Sequence, residues 1–289
     1  MQLYNKNSAA KYDLHCFCNI NIIKGGFVII IDSGECKYSY VKTPNLPQNK
    51  VAYVFLGKNN VPLLEKSLKE RNINICSLEG DTRLDDRVCY HTDMLVFHTG
   101  SNRIIFSKKQ AEFPFEDAET TVSSSKIAKN YPYDVALNAV MVGNNLICNK
   151  KYTDKSILEY ADIHKIAVIN VKQGYSKCSV VPISHNAIIT DDRGIAQSVQ
   201  NAGVDALYID KRFVICDGFD YGFIGGASGM IAKNVLAFTG IFTDEHTKNA
   251  VETFLLKYGV RADYLTDKPM FDVGSIIPIL EYSEGNIDI

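Results

Sequence analysis

The chain has 289 residues, 46% hydrophobic and 22% charged, which is enough apolar content for a sizeable core and excludes a disordered segment or a coiled coil. Its 31 Lys and Arg nearly balance 33 Asp and Glu, and no basic run is interleaved with aromatics, so nucleic acid is not expected as a partner. The opening MQLYNKNSAAKYDL carries no apolar stretch behind a basic end, and no later run approaches the roughly 18 apolar residues of a membrane span; a soluble, cytoplasmic protein without a membrane partner is expected.

Residues 1–46 read as an N-terminal β-rich extension, in which CFCNINI and FVIIID flank a hairpin turn at Lys24-Gly25-Gly26. Residues 47–289 read as one α/β domain that begins with the apolar strand VAYVFLG. A helix follows from Val61 to Arg71 with Leu63, Leu64 and Leu68 on one face, then the strands NICSL, VCYHTDMLVF and RIIFS. The next stretch, from about Phe113, holds a possible helix through Ser125, although Thr-Thr-Val-Ser-Ser-Ser favours a strand or loop over it, and then the strands DVALNAVMV and NLICN. Thr153 is an N-cap candidate for a helix that buries Ile157, Leu158 and Ala161, before IAVINV, CSVVPI and NAIIT. The helix IAQSVQNAG stops at Gly203 and leads into DALYI, FVICD and the glycine-rich FIGGASGM. The last helix, Asp244 to Tyr258, turns Val251, Phe254, Leu255 and Tyr258 inward and stops at Gly259, before YLTD and SIIPIL.

The same unit therefore recurs about five times: a short amphipathic helix, an apolar strand, a polar or small-residue turn, then another strand. Closing the units into a ring gives each the same buried face, so the expected fold is α/β, a five-bladed pseudo-symmetric propeller. Equivalent turns would then converge on the axis. They are Tyr90-His91-Thr92-Asp93, Asp134 to Asn138, Ser176-Lys177-Cys178-Ser179, Gly225-Gly226-Ala227-Ser228-Gly229 and Asp272-Val273-Gly274-Ser275.

The eight cysteines, Cys16, Cys18, Cys36, Cys76, Cys89, Cys148, Cys178 and Cys216, form no C-x-x-C pair and mostly sit in apolar runs, as reduced buried thiols without zinc or disulfides would. Cys178 differs, because Gly174, Tyr175, Ser176 and Lys177 make a polar, flexible approach to it. It is the candidate nucleophile, against the plainer reading of a buried strand cysteine. His91 and Asp93 would project from one face of a strand, as an acid/base and a carboxylate for a cationic group, or as an ordinary bonded histidine beside a solvated acid. Asp192 is either a ligand or, with Asp191, the N-cap region of the helix at Ile195. Gly225, Gly226 and Ser228 could cradle an anion with backbone N–H groups or allow close packing at the axis. Asn138 and Ser275 are polar within apolar runs and could line a cavity or satisfy buried backbone groups.

NAVMVGNNLI followed by IAVINVKQGYSKCSVV, together with YHTDMLVF, resembles the guanidino-group-modifying superfamily, the pentein α/β-propeller fold of arginine deiminases, agmatine deiminases and dimethylarginine dimethylaminohydrolases. The resemblance implies a nucleophile at Cys178, a general acid/base at His91 and a guanidinium-binding carboxylate at Asp93. IITDDRG and FIGGASG resemble, more faintly, motifs that come early in that superfamily, so the chain order fits the same ring circularly permuted. Ile224 and Ala227 stand where the superfamily carries Glu and Asp around two glycines, and only Asp192 matches its early aspartate. YPYD, VKQGYSKCS, GFIGG and GSIIP make the chain most similar to an uncharacterised family within this fold.

The function expected is a cysteine-dependent hydrolase or amidinotransferase acting on a small guanidino or amidine-like molecule through a covalent Cys178 adduct. Asp93, Asn138, Asp192, Gly225, Gly226, Ser228 and Ser275 are the expected substrate-binding positions, with no cofactor and no metal. The competing expectation is a non-catalytic binding protein of this fold, ribosome-associated or a small-molecule sensor.

Overall fold

The computed structural model describes residues 38–110, 115 and 117–283. The expected hairpin around Lys24 to Gly26, and Cys16, Cys18 and Cys36, lie outside these residues. The runs that read as strands pair into five small sheets. The first holds β1 (Tyr38–Tyr40), β2 (Val51–Gly57), β3 (Asn74–Leu78) and the last strand, β16 (Ile277–Tyr282), in the order β1-β16-β2-β3, with α1 (Val61–Glu70) joining β2 to β3. The second comprises α2 (Thr92–Leu95), β4 (Val96–Gly100), β5 (Arg103–Phe106) and β6 (Glu119–Val122). The third has β7 (Val140–Val142), β8 (Asn145–Cys148), α3 (Lys155–Ile163) and β9 (Ala167–Asn170). The fourth has β10 (Val180–Ser184), β11 (Ala187–Thr190), α4 (Arg193–Asn201) and β12 (Asp205–Tyr208). The fifth has β13 (Ser228–Ala232), β14 (Val235–Phe238), α5 (Glu245–Lys257) and β15 (Arg261–Tyr264).

Each sheet repeats one pattern, an antiparallel pair extended by a parallel third strand. β4 and β7 are buried throughout, whereas β6 is exposed throughout and β9, β12 and β15 keep no buried residue. Each sheet therefore runs from the interior outward, as a blade does.

Because side chains alternate across a strand, one blade feeds two interfaces. Val180 of β10 packs with Val140 and Ile147 of the third blade, while its neighbour Val181 packs with Met230 and Phe238 of the fifth. The fifth blade meets the first through Ile231, Ala237, Val54 and Leu56. The first meets the second through Phe55 and Phe106, whose rings lie 6.0 Å apart. Phe97 and Ile105 of the second pack on Met141 and Leu146 of the third, which completes the circuit. Five blades joined by five apolar interfaces, the last returning to the first, make a closed five-bladed α/β-propeller, as the repeat predicts.

The helices cover the blades with residues spaced three or four apart, such as Leu64 and Leu68, Ile157 and Ala161, Ile195 and Val199, and Val251 and Leu255. Three begin at an Asp whose carboxylate accepts from a first-turn N–H: Asp154 from Ser156, Asp192 from Ile195 and Asp244 from Thr247. Each such cap is worth about 1 kcal/mol. The structure corrects four details. Leu63 is 48% exposed, because the buried face of α1 is narrower than the apolar run. The cap of α3 is Asp154, not Thr153, whose hydroxyl instead donates to the Asn149 carbonyl. The helix candidate ending at Ser125 is replaced by β6, in keeping with the β-branched Thr120, Thr121 and Val122. His91 and Asp93 do not lie on a strand, for His91 is the N-cap of α2 and Asp93 is in its first turn.

The ring is fastened by β16, which sits between β1 and β2. Glu281 of β16 is buried and accepts from the N–H groups of Gln48 (2.6 Å) and Asn49 (2.8 Å), 233 and 232 residues away. Tyr38 pairs with Tyr282, so residues 38–40 share the sheet of the first blade.

Candidate active site

Each of the five turns follows the outer strand of one blade and leads into the inner strand of the next, so all five meet at the axis. Their hydrogen bonds close a circle. Thr92 and Asp93 donate backbone N–H groups to the carbonyls of Val273 (3.4 Å) and Gly274 (2.8 Å), and Val273 and Ser275 donate to Gly226 (3.1 and 2.7 Å). Gly226 donates to the Cys178 carbonyl (2.9 Å). The N–H groups of Lys177 and Cys178 then donate to Asn138 Oδ1 (2.7 and 3.2 Å), and Asn138 Nδ2 lies 3.3 Å from Met94 Sδ in α2, next to the first turn.

Cys178, the last residue but one before β10, is 3% exposed and lines a cavity of about 400 Å³ that His91, Met94, Asp134 and Asp272 also line. Asn138 Nδ2 donates to Cys178 Sγ at 2.9 Å. Burial pushes the Cys178 thiol well above the ordinary range, and the Asp93 and Asp272 carboxylates push it further, while the Asn138 amide acts the other way. The resting site therefore holds a neutral thiol. Charge must enter from a ligand, or a proton must leave, before it can act as a nucleophile.

His91 Nδ1 stands 3.5 Å from Asp272 Oδ1. That carboxylate is fixed by two backbone donors, Phe223 N to Oδ2 (2.9 Å) and Gly274 N to Oδ1 (2.8 Å), so it can orient the imidazole. Gly226 makes room for it, since a Cβ there would fall well inside 3.0 Å of all three Asp272 carboxyl atoms. Behind the thiol lies a buried polar chain. Lys177 Nζ donates to Ser275 Oγ (2.8 Å), whose own proton is within reach of Asp93 Oδ2 (2.9 Å) and the Gly225 carbonyl (2.8 Å). Ser275 holds a left-handed backbone, φ 74°, at a cost of order 1 kcal/mol that these three contacts offset. Burial raises Asp93 above and lowers Lys177 below their usual ranges, each eased by the other's charge.

The other expected positions divide. Asn138 and Ser275 sit against Cys178 and Asp93 respectively and are buried there. Gly225 and Gly226 pack at the axis, since a Cβ on Gly225 would fall well inside 3.0 Å of the carbonyls of Lys177, Cys178 and Val180. Ser228 Oγ donates to the Ile224 carbonyl (2.9 Å), and neither it nor the two glycines lines the cavity. Asp192 takes the cap position: its Oδ1 caps α4 and its Oδ2 accepts from Gln173 Nε2 (3.2 Å), so both oxygens are engaged in holding the helix and the preceding loop, and it does not line the cavity. Ile224 and Ala227 are buried apolar residues at the axis.

Three residues not singled out from the sequence take part: Asp272, Lys177 and Asp134. Each belongs to a turn that the repeat marks, and Lys177 also to the polar approach read before Cys178. Residues 209–223 form a loop whose Cys216, Phe219, Tyr221 and Phe223 wall the cavity. Arg87 latches it by donating to the Gly218 carbonyl (2.8 Å) and stacking 4.0 Å from the Phe219 ring. A second cavity of about 380 Å³ shares His91, Arg87, Cys216 and Asp272 with the first. All five described cysteines are free and buried. Among the described residues no group of three or more His, Cys, Asp or Glu could hold a metal ion, and no helix is long and apolar enough to cross a membrane.

The profile of a family of unknown function, DUF6873, matches residues 56–277. No curated protein matches the sequence. Similar solved structures include a mutant DDAH from Pseudomonas aeruginosa complexed with citrulline, at 10% identity and TM-score 0.46, over 75% of this chain and 92% of that one. A mutant agmatine deiminase from C. jejuni with substrate bound is 12% identical with TM-score 0.48, over 85% and 97% of the two chains. The inosamine-phosphate amidinotransferase of Streptomyces griseus is 8% identical with TM-score 0.48, over 86% and 98%. At such identities the chemistry of this site has to come from its own residues.

Proposed function

The chain belongs to the DUF6873 family, and we propose that it is a cysteine-dependent enzyme acting on the C–N bond of a small guanidino or amidine-like substrate. The observation that carries this reading is the sharing of one cavity by the Cys178 thiol and by His91, with Asp272 beside the imidazole.

The electrostatics supply a reason for a cationic substrate. Around Cys178 two carboxylates, Asp93 and Asp272, face one buried ammonium, Lys177, and the thiol is held protonated. An amidinium placed there adds the positive charge that burial lacks, so it favours the thiolate just where it is needed. The thiol proton passes to His91 and Cys178 Sγ bonds to the central carbon. His91 returns the proton to the departing nitrogen as the C–N bond breaks, leaving an amidino thioether and a free amine. Water, giving its proton to His91, adds to the same carbon. The C–S bond then breaks, the thiolate takes its proton back from His91, and the amide or urea product sheds its O–H proton, which the released amine carries away as an ammonium ion. An amine in place of that water would make the reaction a transfer.

Incubation with 2-chloroacetamidine at about pH 7.5, followed by peptide mass spectrometry, tests the assignment. Cys178 is expected to be modified ahead of Cys89 and Cys216, and His91→Ala to slow this by roughly 10²-fold or more. Modification of Cys178 no faster than of a free peptide thiol would overturn it. That result would instead favour a non-catalytic binding protein, the reading supported by the neutral thiol and by Ile224 and Ala227 at the axis.

A further inference from the structure

We propose that Asp134, set in a wall of aromatic rings, makes this cavity selective for an organic cation that carries N–H donors. The inference deepens the functional reading, because it names the ligand of the same cavity, but it stands on binding rather than on the reaction of Cys178.

Asp134 lines the cavity at only 4% exposure. Its Oδ2 accepts the Tyr175 hydroxyl proton, and its Oδ1 has no hydrogen-bond partner among the described residues. A buried carboxylate oxygen without a donor is costly, by about 1–3 kcal/mol, and native proteins rarely keep one that serves nothing. The rings beside it form a continuous wall: Tyr131 and Tyr175 have centroids 5.7 Å apart, Tyr175 and Phe223 5.8 Å, and Phe223 and Tyr221 6.0 Å. Ring faces attract cations, and a desolvated carboxylate does so more strongly.

The charge inventory points the same way. The cavity is lined by Asp85, Asp134, Asp220 and Asp272 against Arg87 and Lys129. Arg87 is already paired with Asp85 at 2.8 and 2.9 Å, and Lys129 lies 3.4 Å from Asp86, outside the lining. The surplus is negative, which disfavours an anionic ligand. An aromatic wall alone would accept a quaternary ammonium, but that cation offers Asp134 Oδ1 no hydrogen-bond donor, whereas one that carries an N–H does. Primary and secondary ammonium, amidinium and guanidinium ions meet both conditions. Burial also raises the Asp134 carboxyl above its ordinary range, the direction expected of a group that gains from a counter-charge.

The test is calorimetric titration of the unmodified protein with n-butylguanidinium, n-butyltrimethylammonium and uncharged n-butylurea, repeated on Asp134→Asn. The carbonyl oxygen of the new amide can still accept the Tyr175 hydroxyl, so the substitution removes charge while leaving that bond. Butylguanidinium is expected to saturate the site at least roughly tenfold more tightly than butyltrimethylammonium, and to lose roughly tenfold or more in Asp134→Asn while butylurea changes little. Equal affinity of the two cations, no saturable binding by butylguanidinium, or its undiminished binding to Asp134→Asn would overturn the proposal. Should the variant fail to fold by circular dichroism, the ranking on the unmodified protein decides alone. Asp134-dependent binding without chloroacetamidine modification of Cys178 would sink the reaction and leave this site standing; the reverse pattern would sink only the site.

Discussion

Replacing Asn138 with alanine probes the wiring of the axis at its most connected residue. The amide oxygen accepts from Lys177 N (2.7 Å) and Cys178 N (3.2 Å), and the amide nitrogen donates to Cys178 Sγ (2.9 Å), all in buried surroundings. Alanine leaves two backbone N–H groups buried without an acceptor, at about 1–3 kcal/mol each, and removes packed atoms worth about 1 kcal/mol more, for a total of about 3–7 kcal/mol. Equilibrium urea unfolding measures it as a fall in midpoint at constant slope. Asn149→Ala serves as the control. Its side-chain Nδ2 donates to the Lys172 backbone carbonyl at 2.8 Å, but in an exposed position, so less than about 1 kcal/mol is expected. Because the Asn138 amide favours the thiolate, its loss should also slow alkylation of Cys178 by iodoacetamide at about pH 8. A loss in Asn138→Ala no larger than in the control would refute the view that the axial turns are held by mutual hydrogen bonds.

Glu281→Ala leaves the N–H groups of Gln48 and Asn49 without their carboxylate and should cost about 2–4 kcal/mol, with Glu281→Gln recovering part of it; thermal unfolding of the three proteins gives the ranking, and an unchanged midpoint in the alanine variant would refute the clasp. Leu64→Ala, at a fully buried position of α1, should cost about 2–5 kcal/mol and Leu63→Ala less than about 1 kcal/mol, so equal losses in urea would contradict the facing of that helix. Asp191 is raised to about 7, chiefly by burial, above an unfolded value near the usual carboxylate range. The folded state therefore keeps a proton that the unfolded state has lost, and stability falls as pH rises. Between about pH 5 and 8 this group should account for about 3 kcal/mol of decline, which Asp191→Asn should abolish; the same slope in both proteins by urea unfolding would count against it.

The ring was legible in the sequence because every blade repeats the same order of apolar strand, amphipathic helix and polar turn, and a repeat survives local errors. The axial turns were found from that periodicity alone, which is how Cys178 and His91 could be put in one place from positions far apart in the chain. What local rules missed is equally specific. The strand read through His91 and Asp93 fails because residues 92–95 coil into a single helical turn, too short for any periodic signal. Of the two readings open for Asp192, the cap is the one in view, since a carboxylate beside a helix start is most simply a cap. Asp272 and Lys177 could not be ranked from sequence, because what makes them matter is contact with Phe223, Gly226 and Ser275 in other turns of the ring. The short strand at residues 38–40, added to the sheet alongside β16, is legible only once the last strand is in place.

The insertion of β16 between β1 and β2 also orders events during synthesis. The inner position of the first blade is vacant until the ribosome has made residues 277–282, so β2 waits for its antiparallel neighbour until the strands of all the other blades have been made. Blades two, three, four and five are each continuous in the chain and can collapse as they appear. A nascent chain arrested before Ile277 would thus carry four finished sectors beside an open strand edge on Val51–Gly57, with apolar side chains on both faces. Such an edge is a template for association with another chain. Quality control of this molecule should accordingly hinge on residues 277–282, and products stalled or clipped before them should be the ones that aggregate.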